Sequence, residues 1–88
     1  MDFIDRADDL EVNEVPDGYI VYQTARDRVH YLNKTAAIIF EFCDGKRDAT
    51  DIVARVAAAF DLAEDGRGEV VACLKSLIDE GLVQSHSK

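Results

Sequence analysis

The sequence predicts an α+β domain in which an N-terminal three-stranded antiparallel sheet is followed by a three-helix, winged-helix-like bundle. Apolar residues recur with the period of two of a strand in the first third of the chain, and with helical spacing after Asn33. Strands that precede helices in this way segregate into separate layers. With 88 residues, 48% of them hydrophobic, the chain can bury one compact core. We predict a single domain over residues 10–84, an acidic tail at 1–9 and a short tail at 85–88.

The first two strands are predicted at residues 10–15 and 19–24. The first alternates apolar and polar residues, and the second is rich in β-branched and aromatic residues. Between them lie Pro16, Asp17 and Gly18. Proline fixes φ and glycine tolerates positive φ, so the chain can reverse there and form a hairpin.

The third strand is predicted at residues 28–32. Val29 and Tyr31 alternate with Arg28 and His30 in the pattern of a half-buried strand, which assigns Val29 and Tyr31 to the apolar face. A short polar segment connects this strand to the second one. The first third of the chain is therefore expected to be a three-stranded antiparallel meander.

Three helices follow. The first is predicted at 34–44, with Asn33 or Thr35 as its cap and Gly45 after its end. The second starts at a capping signal at 48–51 and ends near Phe60. The apolar positions of the three helices are Ala36, Ile39, Phe40 and Cys43; Ile52, Val53, Val56, Ala57 and Phe60; and Val70, Cys73, Leu74 and Leu77.

The third helix is predicted at 69–80, with Gly81 as its stop signal. Residues 61–68 are acidic and contain Gly66 and Gly68, which favours a loop. Asp44 and Gly45 are likewise interpreted as a turn. Residues 82–84 could add a short terminal strand.

The net charge of -8 makes nucleic acid and anionic lipid poor partners. The longest uncharged apolar run, at 35–40, is far shorter than the roughly 20 residues of a membrane helix. The chain also lacks the pattern of a signal peptide, so a cytoplasmic protein without membrane contact is expected.

No catalytic, metal or cofactor site is predicted. Cys43 and Cys73 lie thirty positions apart within helical patterns, which favours buried reduced thiols over a redox or zinc motif. His30 has no partner at ligand spacing, and His86 belongs to a polar tail. The sequence therefore indicates a binding protein and not an enzyme.

A resemblance to a known family covers residues 10–84. Its most specific part is the segment LNKTAAII at 32–39, which continues to CDG at 43–45; DIV at 51–53, EVV at 69–71, Leu74, Leu77 and EGLV at 80–83 also match. These residues resemble the PqqD-like family, the precursor-peptide recognition elements of ribosomally made, modified peptides. An aromatic residue, often tryptophan, is usual near Phe40, so phenylalanine is a mild departure there.

The resemblance implies a winged-helix-like domain that binds the leader segment of a precursor peptide. In that family the leader adds as a further strand beside the third strand and packs on the third helix. A separate radical SAM enzyme, cyclase or protease then modifies the peptide. Here the third strand would be residues 28–32 and the third helix residues 69–80.

The physical chemistry of the segment is compatible with this role. An edge strand offers unpaired N–H and C=O groups to an extended peptide, and residues just off the core stripe of the third helix can line a groove. Arg26 and Arg28, with Lys34 nearby, form a basic spot that suits an acidic leader. The predicted peptide-binding residues are Arg28, Val29, His30, Tyr31, Leu32, Val71, Leu74, Lys75 and Ile78.

Simpler roles remain open for several of these residues. The arginines can serve only to keep an edge strand from aggregating, and the tyrosines can be ordinary cross-strand pairs. The exposure of Val71 and Ile78 distinguishes a binding patch from core packing. Solvent-facing apolar residues beside a strand edge indicate a binding patch, whereas buried ones indicate packing.

The sequence leaves two alternative functions, a DNA-binding regulator and a structural module. A winged-helix regulator would read DNA with its third helix, but residues 61–80 carry six acidic residues against two basic ones and would be repelled by phosphates. A structural module would dimerise by pairing exposed strand edges. We expect a monomer or weak dimer.

Overall fold

The computed structural model describes residues 2–60 and 64–87. Within this part of the chain, six strands form two three-stranded sheets, and three helices pack against them. A single 3-10 turn, Thr24–Arg26, follows the third strand. The elements are β1 (Asp2–Arg6), β2 (Leu10–Val15), β3 (Gly18–Gln23), β4 (Arg28–Asn33), α1 (Lys34–Phe42), β5 (Asp44–Asp48), α2 (Ala49–Phe60), α3 (Glu64–Asp79) and β6 (Val83–Ser87).

The predicted α+β class and the meander are confirmed. Strands β2, β3 and β4 form an antiparallel sheet in that order, and Pro16 and Asp17 form the turn between the first two. Gly18 has φ of +151°, and a Cβ atom there would lie 1.9 Å from the carbonyl oxygen of Leu32. Only glycine therefore allows β3 and β4 to approach so closely.

A second sheet, in the order β5-β1-β6, was not predicted. Residues 2–6, expected to belong to a tail, pair with β6 on one side and β5 on the other. Asp44 and Gly45, expected to form a turn, belong to β5, and residues 85–87, also expected in a tail, belong to β6. These strands have largely polar sequences with low strand propensity. They become strands because they pair with distant segments of the chain.

The inward face of β4 is the opposite of the predicted one. Val29 and Tyr31 are 68% and 58% exposed, whereas Leu32 is buried and His30 half-buried. His30 pairs across the sheet with the buried Val21, so both side chains lie on the core face. Leu32 and the hydrogen bonds of His30 determine which face is buried.

The starts predicted for the first two helices are confirmed by their caps. Asn33 Oδ1 accepts a hydrogen bond from the Ala36 N–H at 2.9 Å, and Asp48 Oδ1 accepts one from the Asp51 N–H at 2.8 Å. Each carboxamide or carboxylate oxygen satisfies an N–H group that has no partner within the helix.

Helix α3 begins earlier than predicted. The expected loop at 61–68 is wrong from Glu64 onward, because Gly66 and Gly68 lie inside the helix; residues 61–63 lie outside the described residues. Each glycine costs about 1 kcal/mol in a helix, which the burial of Val70 and the following apolar residues offsets. The predicted stop is confirmed: Gly81 has φ of +76°, and its N–H donates to Ile78 while that of Leu82 donates to Leu77.

The core joins both sheets to the three helices. Phe60 and the half-buried Val53 and Cys73 are more exposed than predicted. The other predicted helical core residues are buried, namely Ala36, Ile39, Phe40, Cys43, Ile52, Val56, Ala57, Val70, Leu74 and Leu77.

None of the helices in the described ranges is long and apolar enough to cross a membrane.

Candidate functional site

The outer edge of β4 is open. β4 pairs with β3 on one side, and no other strand among the described residues pairs with its second side. In an antiparallel ladder, alternate residues direct their N–H and C=O groups away from the partner strand. Six residues at about 3.3 Å each give an edge of roughly 20 Å, which can bind a short extended segment.

The same sheet has a second edge at β2, but its charge differs. β2 carries Glu11 and Glu14, whereas β4 carries Arg28 and no carboxylate. Lys34 follows directly after β4, so cations lie at both ends of this edge. Neither Arg28 nor Lys34 forms an ion pair with any residue that the structure describes. The β4 edge is therefore the one that favours an acidic peptide.

The third member of the predicted basic spot, Arg26, has a structural role. Its Nη1 lies 3.5 Å from the carbonyl oxygen of Glu80, so it can donate to the end of α3. The side chain also lies against Gly81, where a Cβ would be 3.1 Å from Nη1. Arg26 therefore helps to hold the connection between β3 and β4 against the helix terminus.

A buried polar contact fixes the position of β4 relative to α3. His30 Nε2 lies 3.1 Å from Gln23 Oε1, and His30 Nδ1 lies 3.8 Å from Glu80 Oε2. The Nε2 atom of the buried Gln23 donates to the carbonyl oxygens of Glu80 and Gly81 at 3.4 and 3.3 Å. The start of β4 is thereby attached to the C-terminal end of α3.

Sequence reasoning missed Gln23 and Glu80 as residues that position the site. The available signal was Gln23 itself, a polar residue at an inward position of β3, two places after the buried Val21. A buried amide requires partners, and this one finds them 57 and 58 residues away in the sequence.

One side of α3 presents apolar residues to solvent. Val71 is 53% exposed and Ile78 37% exposed, and with the exposed Lys75 they lie at helical spacing along a single stripe. This is the exposure that indicates a binding patch. Leu74 differs from these three because its side chain is buried in the core.

A groove between α2 and α3 continues from this stripe. Its volume is about 280 Å³, and its lining is largely apolar. Val71 lies about 10 Å along the helix from Ile78, given a rise of 1.5 Å per residue. The lining residues are Ala49, Thr50, Val53, Ala54, Arg67, Val71 and Leu74.

The predicted site residues therefore fall into two parts. Residues 28–32 form the strand edge, where Leu32 contributes its backbone because its side chain is buried. Val71 and Leu74 line the groove between α2 and α3, one to two turns of helix from the end that contacts His30. Lys75 and Ile78 lie between the two parts on the surface of α3.

Both cysteine thiols are shielded by burial. Burial raises the pKa of the Cys43 thiol to about 12 and also raises the pKa of the Cys73 thiol. Both cysteines are free, and His86 is exposed on β6. The described residues include no group of three or more His, Cys, Asp and Glu side chains that could hold a metal ion.

Comparison with known proteins gives one family and one fold. Residues 18–83, more than half of the chain, match the family described as coenzyme PQQ synthesis protein D. The fold is similar to that of a solved lasso peptide synthetase B1 complexed with the leader peptide, with a TM-score of 0.73 and 17% sequence identity over 91% of this chain and 95% of that one. No curated protein has a matching sequence.

Proposed function

Because the chain belongs to the PqqD family, we propose that it binds the leader segment of a ribosomally synthesised precursor peptide by strand addition and presents it to a separate modifying enzyme. The observation that carries this proposal is the open edge of β4, flanked by the exposed side chains of Val29 and Tyr31. The lasso peptide synthetase B1 of similar fold was solved with a leader peptide, which supports the same class of ligand.

Strand addition explains why the site consists mainly of backbone groups. An extended peptide on β4 would satisfy the outward N–H and C=O groups whatever its side chains, and pockets for alternate side chains would provide selectivity. Each hydrogen bond contributes only about 1 kcal/mol net, whereas micromolar affinity requires about 8 kcal/mol. A six-residue edge therefore needs additional apolar contacts.

The exposed stripe of α3 supplies such contacts. Val71 and Ile78 are available to solvent, and the groove beside Val71 is large enough for one bulky side chain of the peptide. Arg67 at the groove and Arg28 on the strand favour carboxylates in the peptide. We infer a leader with apolar anchors separated by acidic residues.

The chemical step is assigned to a partner enzyme. Backbone groups and apolar side chains bind a peptide but do not transfer protons, electrons or groups to it. A radical SAM protein, a cyclase or a protease would provide the reaction. The adaptor would raise the local concentration of the peptide at that enzyme.

An amide-shift titration tests the proposal. The chain, labelled with ¹⁵N, is titrated with a synthetic peptide that copies the N-terminal half of a short open reading frame beside its gene. We expect the largest shifts at residues 28–33 and 71–78, and no comparable shifts with a scrambled peptide. A flat titration, or shifts confined to the C-terminal half of α2, would contradict strand addition at β4.

A further inference from the structure

Strands β3 and β4 of the first sheet share an apolar outer face. Ile20 is the direct cross-strand partner of Tyr31, and Tyr22 that of Val29. All four side chains point away from the core, since Val21, Gln23 and Leu32 occupy the inward positions. Ile20, Val29 and Tyr31 are exposed, and Tyr22 is half-buried. We call these four residues the outer face.

The rim of the outer face is acidic. Glu11 is the cross-strand partner of Tyr22, whose hydroxyl donates to Asp27 Oδ1 at 2.6 Å. The Tyr31 hydroxyl lies 3.3 Å from the carbonyl oxygen of Asp17 and donates to it. Glu11 and Asp27 thus border the apolar centre beside Tyr22, and the backbone of the acidic residue Asp17 contacts it at Tyr31.

We propose that the outer face is the docking surface for the modifying enzyme, which would present apolar residues surrounded by lysine and arginine. The acidic rim favours a basic enzyme surface over a second copy of this chain, because a second copy would bring carboxylates against carboxylates. Depletion of charge at the centre and its presence at the rim are typical of protein interfaces. This inference rests on the proposed function, because it assigns a surface to the partner that the leader requires.

The outer face is continuous with the peptide-binding edge. Val29 and Tyr31 belong to β4, so a peptide strand added there would place its own outward side chains directly beside them. The enzyme would then contact the adaptor and the leader on one surface. Binding of the leader and binding of the enzyme would therefore reinforce each other.

The size of the face supports such coupling. The outer face lies on two neighbouring strands, which cover roughly 10 by 20 Å, well below the approximately 800 Å² per partner of a stable interface. A fourth strand from the leader enlarges the sheet by about a third. The free adaptor would bind the enzyme weakly, and the loaded adaptor more tightly.

A pair of lysine substitutions tests the proposal. Ile20 and Val12 are similarly exposed, at 37% and 43%, but lie on opposite faces of the sheet. Affinity for the synthetic leader is measured by fluorescence anisotropy, and affinity for the enzyme encoded beside the gene by calorimetry, with and without leader. Circular dichroism is used to check that Ile20→Lys and Val12→Lys are folded.

We expect Ile20→Lys to weaken enzyme binding by about tenfold or more and Val12→Lys by less than about twofold, because only the first places a cation opposite a basic partner surface. Leader affinity should change by less than about twofold in both variants, because neither residue lies on β4. The leader should tighten enzyme binding by the unsubstituted chain several-fold.

Two results would overturn the proposal. One is equal enzyme affinity of Ile20→Lys and Val12→Lys, and the other is a failure of the leader-loaded, unsubstituted chain to bind the enzyme. A chain that binds the enzyme through Ile20 but does not bind the leader would contradict the proposed function and leave the docking surface supported. A doubled mass in light scattering that Ile20→Lys abolishes would assign the outer face to a second copy and overturn its assignment to the enzyme.

Discussion

His30 Nδ1 lies 3.8 Å from Glu80 Oε2, across the junction between the first residues of β4 and the end of α3. The other nitrogen of the same ring lies 3.1 Å from Gln23 Oε1. Gln23 in turn donates to the carbonyl oxygens of Glu80 and Gly81. The relative position of the open strand edge and the exposed stripe of α3 therefore depends on a small network of polar groups.

Replacing Gln23 by leucine should destabilise the fold by about 2 kcal/mol, because two carbonyl oxygens and one imidazole nitrogen lose a partner in a buried region. Urea denaturation measures this change. Gln84→Leu, at an exposed position of β6, is the matched control and should change stability by less than about 0.5 kcal/mol. Equal stabilities of the two variants would show that the network does not stabilise the junction.

Proline substitution at Val29 and at His30 should separate the two sides of β4. Neighbouring residues alternate in directing their N–H groups toward β3 and toward the open edge. Val15 and Gly18 flank the two-residue turn and exchange hydrogen bonds, so the alternation directs the N–H of His30 toward β3 and that of Val29 to the open edge. We expect Val29→Pro to retain most of its stability and to bind leader about fivefold more weakly. His30→Pro loses a ladder hydrogen bond and its ring contacts, so it should be destabilised. Thermal unfolding and anisotropy distinguish them, and full leader affinity in the stable variant would argue against strand addition.

Val71→Asp should reduce leader affinity by about tenfold, because a carboxylate replaces an apolar contact at the groove. The side chain is exposed, so the fold should persist, which circular dichroism verifies. Ala72→Asp introduces the same charge at the next exposed position, on another side of α3, and should leave the affinity nearly unchanged. If both variants bind as tightly as the unsubstituted chain, α3 does not contact the peptide.

Reversal of charge at Arg28 should weaken binding of an acidic leader, and the difference should diminish as salt is raised. Lys46→Glu is the control, since Lys46 is an exposed cation on β5, a strand of the other sheet. It changes the net charge by the same amount. Association rates measured by stopped-flow fluorescence at two salt concentrations provide the test. Equal effects of the two substitutions would mean that overall charge, and not the β4 edge, attracts the peptide.

The two thiols should differ in their reaction with iodoacetamide. Burial raises the pKa of Cys43 to about 12, so at pH 8 only roughly one molecule in ten thousand carries the reactive thiolate. The pKa of Cys73 is also raised by burial, but this residue is only half-buried. Mass spectrometry should show that Cys73 is modified first in the native protein and that both react in denaturant. Earlier modification of Cys43 would contradict its burial.

The helices could be predicted because their signals are local. Asn33 and Asp48 cap the helices that begin one residue later, and Gly81 ends the third. The second sheet could not be predicted, since β1 and β5 are polar segments about forty residues apart that become strands only by pairing. The two glycines of α3 misled the prediction of its start, because packing outweighed a modest local cost.

Strand β4 was predictable from the sequence, but the face that it buries was not. The period of two identified β4 but could not determine its buried face, since Val29 and Tyr31 compete with His30 and Leu32 for that role. Leu32 is buried and His30 contacts Gln23 and Glu80, and a contact between residues fifty positions apart leaves no local pattern. The exposure of Val71 and Ile78 likewise depends on how α3 packs on the other helices.

β1 and β6 are antiparallel neighbours, and Asp2 lies opposite Ser87. Both belong to the sheet that does not contain β4, so the two ends of the fold lie side by side on a different sheet from the open edge of β4. A domain with this geometry can be inserted into a surface loop of a larger protein through two short linkers, without interrupting β4. Tethering would replace a diffusional encounter between adaptor and catalyst by an intramolecular one.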